Sequence, residues 1–213
     1  PISQDELDEL FEIPKEWKWV RNEDYLFEVK DGTHDTPKYV NEGIPFITQK
    51  NIKEDGLSFN NVQYISEEDH NKFYQRSNVS RGDILISMIG HYRGMTAIVD
   101  NVTVFSIKNV GLFKFNDKYQ YNKFSYYFYN SRVGLNIILK KSKGGAQPFI
   151  GLTELRKWPV IVCSLEEQHC IVEEIESRLS VADKMEESIA QSLQQAEALR
   201  QSILKKAFSG ELV

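Results

Sequence analysis

Three short polar segments carry residue types that could do chemistry on a nucleic acid. Asp31-Gly32-Thr33-His34-Asp35-Thr36-Pro37-Lys38-Tyr39 sets hydroxyls, an imidazole and an amine in an irregular loop with little bulk. Thr33, His34, Thr36 and Lys38 there suit phosphate or base-edge contacts, though the same string suits an ordinary turn. Gly90-His91-Tyr92-Arg93-Gly94 is bracketed by glycines between two apolar runs. His91, Tyr92 and Arg93 offer an aromatic face and two potential cations, and the alternative is a solvated hairpin tip. Lys140-Lys141-Ser142-Lys143-Gly144-Gly145-Ala146-Gln147-Pro148 leads lysines into glycines, so the backbone can approach a phosphate closely. Lys141 and Lys143 would hold phosphate, and Gln147 could pair with adenine.

Other candidates point elsewhere or nowhere. Glu28-Val29-Lys30 fits the end of a nuclease carboxylate-x-lysine pattern, but no well-placed upstream carboxylate stands out. His34, His70, His91 and His169 are scattered, and adjacent His169 and Cys170 would face different ways on a helix, so no metal site is expected. Phosphate loops, Gly-x-Gly-x-x-Gly, methyltransferase and nucleophile-elbow signatures are missing from the sequence, and no catalytic residue is assigned. The aromatics between Tyr119 and Tyr129 resemble a stacking platform, but Phe124, Tyr127 and Phe128 fall at helical spacing and read as a core-facing stripe.

The elements that must position these segments follow from patterning. The 213 residues carry a net charge of −5 and an ordinary apolar fraction of 41%. An acidic average argues mildly against nucleic acid, but the charge is segregated. Residues 118–158 hold eight Lys and Arg against the single acid Glu154. Screening confines charge effects to roughly 10 Å, so a local basic face can bind phosphate. Two cysteines, Cys163 and Cys170, and the lack of a signal peptide or apolar span suggest a cytoplasmic protein with no membrane contact.

Residues 1–16 read as an acidic, poorly ordered lead-in, 17–163 as a globular domain, and 164–213 as a long helix. Strands are expected at 44–48, 62–65, 83–89, 95–99, 102–107 and 158–162, with Asp100-Asn101 as a hairpin turn. Helices are expected at 67–74, 121–130 and 131–141. The fold class is α+β: a curved, mostly antiparallel sheet with short helices, then one long α-helix. Ser164-Leu165-Glu166-Glu167 is a capping box that starts this helix. Its apolar stripe runs from Ile171 to Ala207 with a mean spacing of 3.6 and includes Ile175, Leu179, Ala182, Met185, Ile189, Leu193, Ala196, Leu199 and Ile203. A rod of ~65 Å cannot be covered by a body with a radius of gyration of ~15 Å, so the stripe predicts an antiparallel helix pair or coiled coil with a partner.

Taken in order, these pieces resemble the specificity (S, HsdS) subunit of type I restriction–modification systems. The resemblance rests on residues 11–20, Gly32-Thr33-His34-Asp35-Thr36-Pro37-Lys38-Tyr39, Gly43-Ile44-Pro45-Phe46-Ile47, Arg81-Gly82-Asp83-Ile84-Leu85-Ile86-Ser87 and Lys143-Gly144-Gly145-Ala146-Gln147-Pro148. It extends to Leu165-Glu166-Glu167-Gln168 and to Leu199 through Leu212. It implies a non-catalytic, sequence-specific reader of double-stranded DNA, with one target-recognition domain for one half of a bipartite site. A spacer helix would dock modification subunits and, through them, the restriction subunit. S-adenosylmethionine would belong to the modification subunit, and ATP and magnesium to the restriction subunit, with no cofactor held by this chain. A complete subunit has two such halves, so this chain is expected to be a fragment or a half-subunit that self-associates. Two other classes remain: the recognition end of a fused restriction–methyltransferase polypeptide, and a structural coiled-coil adaptor.

Overall fold

A computed structural model describes residues 1–100, 103–116, 120–145 and 148–212. In chain order the elements are α1 (Gln4–Asp8), β1 (Lys18–Arg21), α2 (Asn22–Tyr25), β2 (Glu28–Asp31), β3 (Ile44–Ile47), a 3₁₀ turn (Gln49–Asn51), β4 (Ile52–Lys53), β5 (Gly56–Leu57) and β6 (Gln63–Ile65). There follow α3 (Glu67–Ser77), β7 (Ile84–Ser87), β8 (Thr96–Ile98), β9 (Ser106–Ile107), β10 (Val110–Lys114), α4 (Asn122–Asn130), α5 (Arg132–Leu139), α6 (Leu152–Arg156), β11 (Pro159–Val162) and α7 (Leu165–Phe208). The chain divides into two units, Pro1–His169 and Cys170–Val213.

The first unit is built around the sheet β2-β10-β7-β8. Both faces of this sheet are covered, so its strands are continuous apolar runs rather than alternating ones. Ile84, Ile86 and Phe113 point into one cluster with Tyr129, Leu155 and Trp158. Leu85, Leu112 and Ala97 point into the other with Ile47, Phe105 and Ile107. Gly111 of β10 has no room for a side chain, since a Cβ would come within 2.5 Å of Leu155 and 2.6 Å of Ile86. Smaller sheets, β6-β3-β9, β4-β5 and β1-β11, surround the main one. Among the named strands every pair is antiparallel except β3 with β9. The α+β class stands, but as several small sheets rather than one.

Three local expectations are corrected. The 95–107 hairpin does not form: β8 pairs with β7, while β9 runs parallel to β3 in another sheet. Asn101 and Val102 of that turn lie outside the described residues. The lead-in is structured, because Ser3 caps α1 by accepting from the Glu6 amide, and Arg21 donates to both Glu6 carboxylate oxygens. In α4 the deepest aromatic is Tyr129, whose hydroxyl donates to Asn22 Oδ1 at 2.7 Å; Phe124 is buried, while Tyr127 and Phe128 are half-buried.

α7 forms as the capping box requires: the Glu167 amide donates to Ser164 Oγ and the Ser164 amide to Glu167 Oε2. It holds 44 residues, about 66 Å at 1.5 Å per residue. In the second unit the stripe residues Leu179, Met185, Ile189, Leu193, Leu199 and Ile203 are all exposed, from 48% to 71%. No helix among the described residues is long and apolar enough to cross a membrane.

Candidate nucleic-acid interface

The early loop is stitched down before it presents anything. Gly32 passes so close to β9 that a Cβ would sit 2.2 Å from the Ile107 carbonyl oxygen. The Gly32 amide donates to the Val110 carbonyl and the Thr33 amide to that of Ile107. Thr33 is therefore buried, and its hydroxyl accepts from the Asp35 amide at 3.1 Å. It shapes the loop rather than facing outward. His34 is exposed and spans two acceptors: Nε2 lies 3.1 Å from Asp31 Oδ2 and Nδ1 2.8 Å from Asn109 Oδ1. Asp31 is itself buried and receives Arg76 Nε and Nη2 at 3.1 and 2.7 Å. The Thr36 hydroxyl accepts from Lys108 Nζ, and Lys38 is exposed.

The other two segments meet each other. Gly90 and Gly94 take φ of +78° and +89°, the left-handed region that a tight tip between β7 and β8 requires. His91 and Tyr92 are exposed with their rings edge to face at 5.3 Å. Arg93 is turned inward: Nε donates to Ser142 Oγ at 3.0 Å and Nη1 to the Gly90 carbonyl at 3.1 Å. Lys143 and Phe149 exchange two backbone bonds of 2.8 Å, and the Gly90 amide donates to Pro148 O. Gln147 lies outside the described residues.

The lysine run is less free than its sequence suggests. Lys140 pairs with Glu9 and Lys141 with Glu6, each at 3.5 Å, and Lys143 pairs with Glu154. Arg21, with a smaller contribution from Lys141, holds the Glu6 carboxyl down at about 2. Lys143 holds Glu154 below its ordinary range. The first two contacts are exposed and weak, so they tune the local field rather than lock it.

The structure adds a surface that no sequence motif marks. A cleft of about 910 Å³ lies over β3, the 3₁₀ turn, the β4–β5 hairpin and β6, with Lys108 and Asn109 on its wall. Among the described residues, Gln49, Asn60, Asn61 and Gln63 line it without a side-chain hydrogen bond, and Lys50 and Lys53 without an ion pair. A hollow of about 340 Å³ brings Asp31, His34, Ile89, Asn109 and Phe149 together. His34 and Asn109 thus share a hollow with Ile89, which precedes the tip after β7, and Phe149, which follows the late loop, and Asn109 belongs to the cleft as well. The density of Asn and Gln between 49 and 63 was visible in the sequence, but it reads as turn chemistry there.

Fold and surface define a recognition module: a rigid mixed body that presents donors and acceptors from sequence-distant loops, continued by a long helix with an uncovered apolar stripe. Among the described residues no cluster of His, Cys, Asp or Glu is arranged to hold a metal. Residues 14–197 match the model of the type I restriction modification DNA specificity domain, and the chain belongs to that family. It is 30% identical over 173 residues to the type I restriction enzyme EcoBI specificity subunit of Escherichia coli, covering 81% of this chain and 36% of that protein. It is 42% identical over 65 residues to the EcoDI specificity subunit of Escherichia coli, covering 30% of this chain and 15% of that one. Its fold is similar to a chain in a structure describing complex assembly and conformational transition of the type I R-M system (TM-score 0.72, 19% identity, 94% of this chain and 48% of that). It is also similar to the HsdS subunit from Thermoanaerobacter tengcongensis (TM-score 0.65, 16% identity, 90% and 49%). The chain therefore spans about a third of the first Escherichia coli relative and about half of each matched structure.

Proposed function

We propose that this chain reads one half of a bipartite double-stranded DNA site for a type I restriction–modification enzyme, without catalysis of its own. The match of residues 14–197 to the DNA specificity domain carries this reading, and the placement of His34 beside Ile89 and Phe149, which flank the tip and the late loop, supports it. We assign DNA contacts to His34, Thr36, Lys38, His91, Tyr92, Lys141 and Lys143, with Thr33 shaping the loop. Gln147 belongs to the same segment in sequence. The modification subunits, and through them the restriction subunit, complete the enzyme with their own S-adenosylmethionine, ATP and magnesium.

Selection from a random duplex library by the full chain tests this. The expected result is one enriched short motif, held with an affinity that falls steeply as salt rises, by about 0.9 in log–log slope per phosphate neutralised. Retention of all duplexes alike would sink it, and retention of none at low salt with self-association intact would sink it and favour the coiled-coil adaptor.

The helix completes the reading. Ala182 and Ala196 among the larger exposed stripe residues allow close approach of a second helix, a second copy of this chain or the second half of a longer one. Such pairing would hold two reading domains a fixed distance apart. Light scattering of the wild-type chain should give a dimer mass. Ile189→Asp with Leu193→Asp should halve it, and an unchanged dimer mass in the double variant would remove α7 from the interface.

A further inference from the structure

The amide-lined cleft has a chemistry that the basic loops lack. Its floor is framed by one committed amide: Asn51 Oδ1 accepts from the Thr48 amide at 3.0 Å and Asn51 Nδ2 donates to the Ser58 carbonyl at 3.1 Å. That frame leaves Gln49 on the 3₁₀ turn and Gln63 on β6 projecting uncommitted side chains, with Asn60 and Asn61 between them in sequence. Gln63 sits opposite Phe46 in the β3–β6 ladder, so its backbone is fixed by a strand rather than a loop.

A side-chain amide offers two donor hydrogens and one acceptor oxygen. A phosphate only accepts, so it would leave that oxygen unused. The major-groove edge of adenine offers the complement, an N7 acceptor beside an N6 donor, and Asn or Gln meets it with two hydrogen bonds. Lys50 and Lys53 on the same rim supply the charge that phosphates on either side of such a base need. Arginine, the usual reader of guanine, is missing from the described lining.

We propose that this cleft is the specificity-determining surface, that it reads adenine-bearing base pairs in the major groove, and that Gln49 and Gln63 are its bidentate contacts. The assignment rests on the half-site reading above and names the bases it selects. Gln49 and Gln63 then set sequence, while Lys50 and Lys53 set affinity for any sequence.

The test repeats the random-duplex selection with Gln63→Ala, Gln63→Glu, Gln49→Ala and Lys53→Ala. The wild-type motif should contain adenine. Gln63→Ala should lower preference at one adenine position by about tenfold or more and leave the others intact. Gln63→Glu, which loses its donors, should shift that position towards cytosine, whose N4 amine donates. Lys53→Ala should weaken all duplexes equally and lower the salt slope by about one. Melting temperatures check folding, and Gln49→Ala, on a different element, repeats the test if the Gln63 variants melt low. An enriched motif whose every position survives both glutamine-to-alanine changes overturns the proposal while sparing the half-site reading, as does uniform weakening, which marks a phosphate contact. A wild-type chain that enriches no motif overturns both.

Discussion

Two polar surfaces of the Pro1–His169 unit hold lysines, and they differ in the carboxylates those lysines meet among the described residues. Lys140, Lys141 and Lys143 form the densest cationic run of the chain, yet each faces a carboxylate: Glu9, Glu6 and Glu154. Lys50 and Lys53 look unremarkable in sequence, but among the described residues they border the cleft without an ion pair, with Asp55 the one acid in its described lining. Charge that is adjacent in sequence is not the charge a ligand meets. Folding brings α1 against the lysine run and leaves the cleft cations to solvent. The cleft is the better phosphate grip, and the lysine run a weaker, self-screened one.

The largest expected effect tests this ranking directly. Lys50→Ala with Lys53→Ala should weaken duplex binding by roughly tenfold per lysine, as loss of a charged hydrogen bond would, and reduce the salt slope by about two. Lys140→Ala with Lys141→Ala should cost less than half as much on a logarithmic scale. Filter binding at several salt concentrations separates the two, and a steeper loss from the 140–141 pair would reverse the ranking.

The same contrast explains what was legible in the sequence. β7 was visible because both faces of its sheet are buried, which makes Ile84, Leu85 and Ile86 one apolar run. β10, the strand that joins β2 to β7, was missed because Gly111 reads as a breaker, although it is there to let Leu155 approach. The false 95–107 hairpin followed a local turn signal, and a turn signal carries no information about which strand is the partner. Loop candidates were recognisable by type, and two of the three segments touch, through Gly90 with Pro148 and Arg93 with Ser142. Their roles were not, since burial of Thr33 depends on Ile107 and the inward turn of Arg93 on Ser142, both far along the sequence. The cleft was hidden for the same reason: its lining runs from Tyr39 to Asn109.

A second, intermediate effect sharpens the comparison from the acid side. Glu6→Gln should free Lys141 and raise affinity for every duplex a few-fold without changing the enriched motif. It should also change acid stability. The Glu6 carboxyl is held at about 2, below its ordinary 4.5, chiefly by its hydrogen bond from Arg21. A depressed carboxyl stabilises the fold above its unfolded value, and that contribution is lost as pH falls from about 4.5 towards 2. Wild-type melting temperature should therefore fall more than that of Glu6→Gln across this window. Parallel acid profiles of the two proteins would show that the contact contributes nothing to the fold.

The smallest effect concerns Arg93, which by type alone is the natural reader of a guanine. Its guanidinium already donates to Ser142 Oγ and the Gly90 carbonyl, which ties the tip after β7 to the lysine run. With Nε and Nη1 each already donating, the side-on pair of the fork is taken, and turning its end-on pair to a base edge would compete with those bonds. Arg93→Ala should therefore weaken all duplexes equally, by a few-fold, through a looser tip at His91 and Tyr92. Arg93→Lys should not restore binding, because an ammonium cannot hold the two acceptors in the same fixed plane. Relaxed preference at a single G·C position in the selected motif would instead make Arg93 a base reader. It would also return part of the specificity from the cleft to the basic loops.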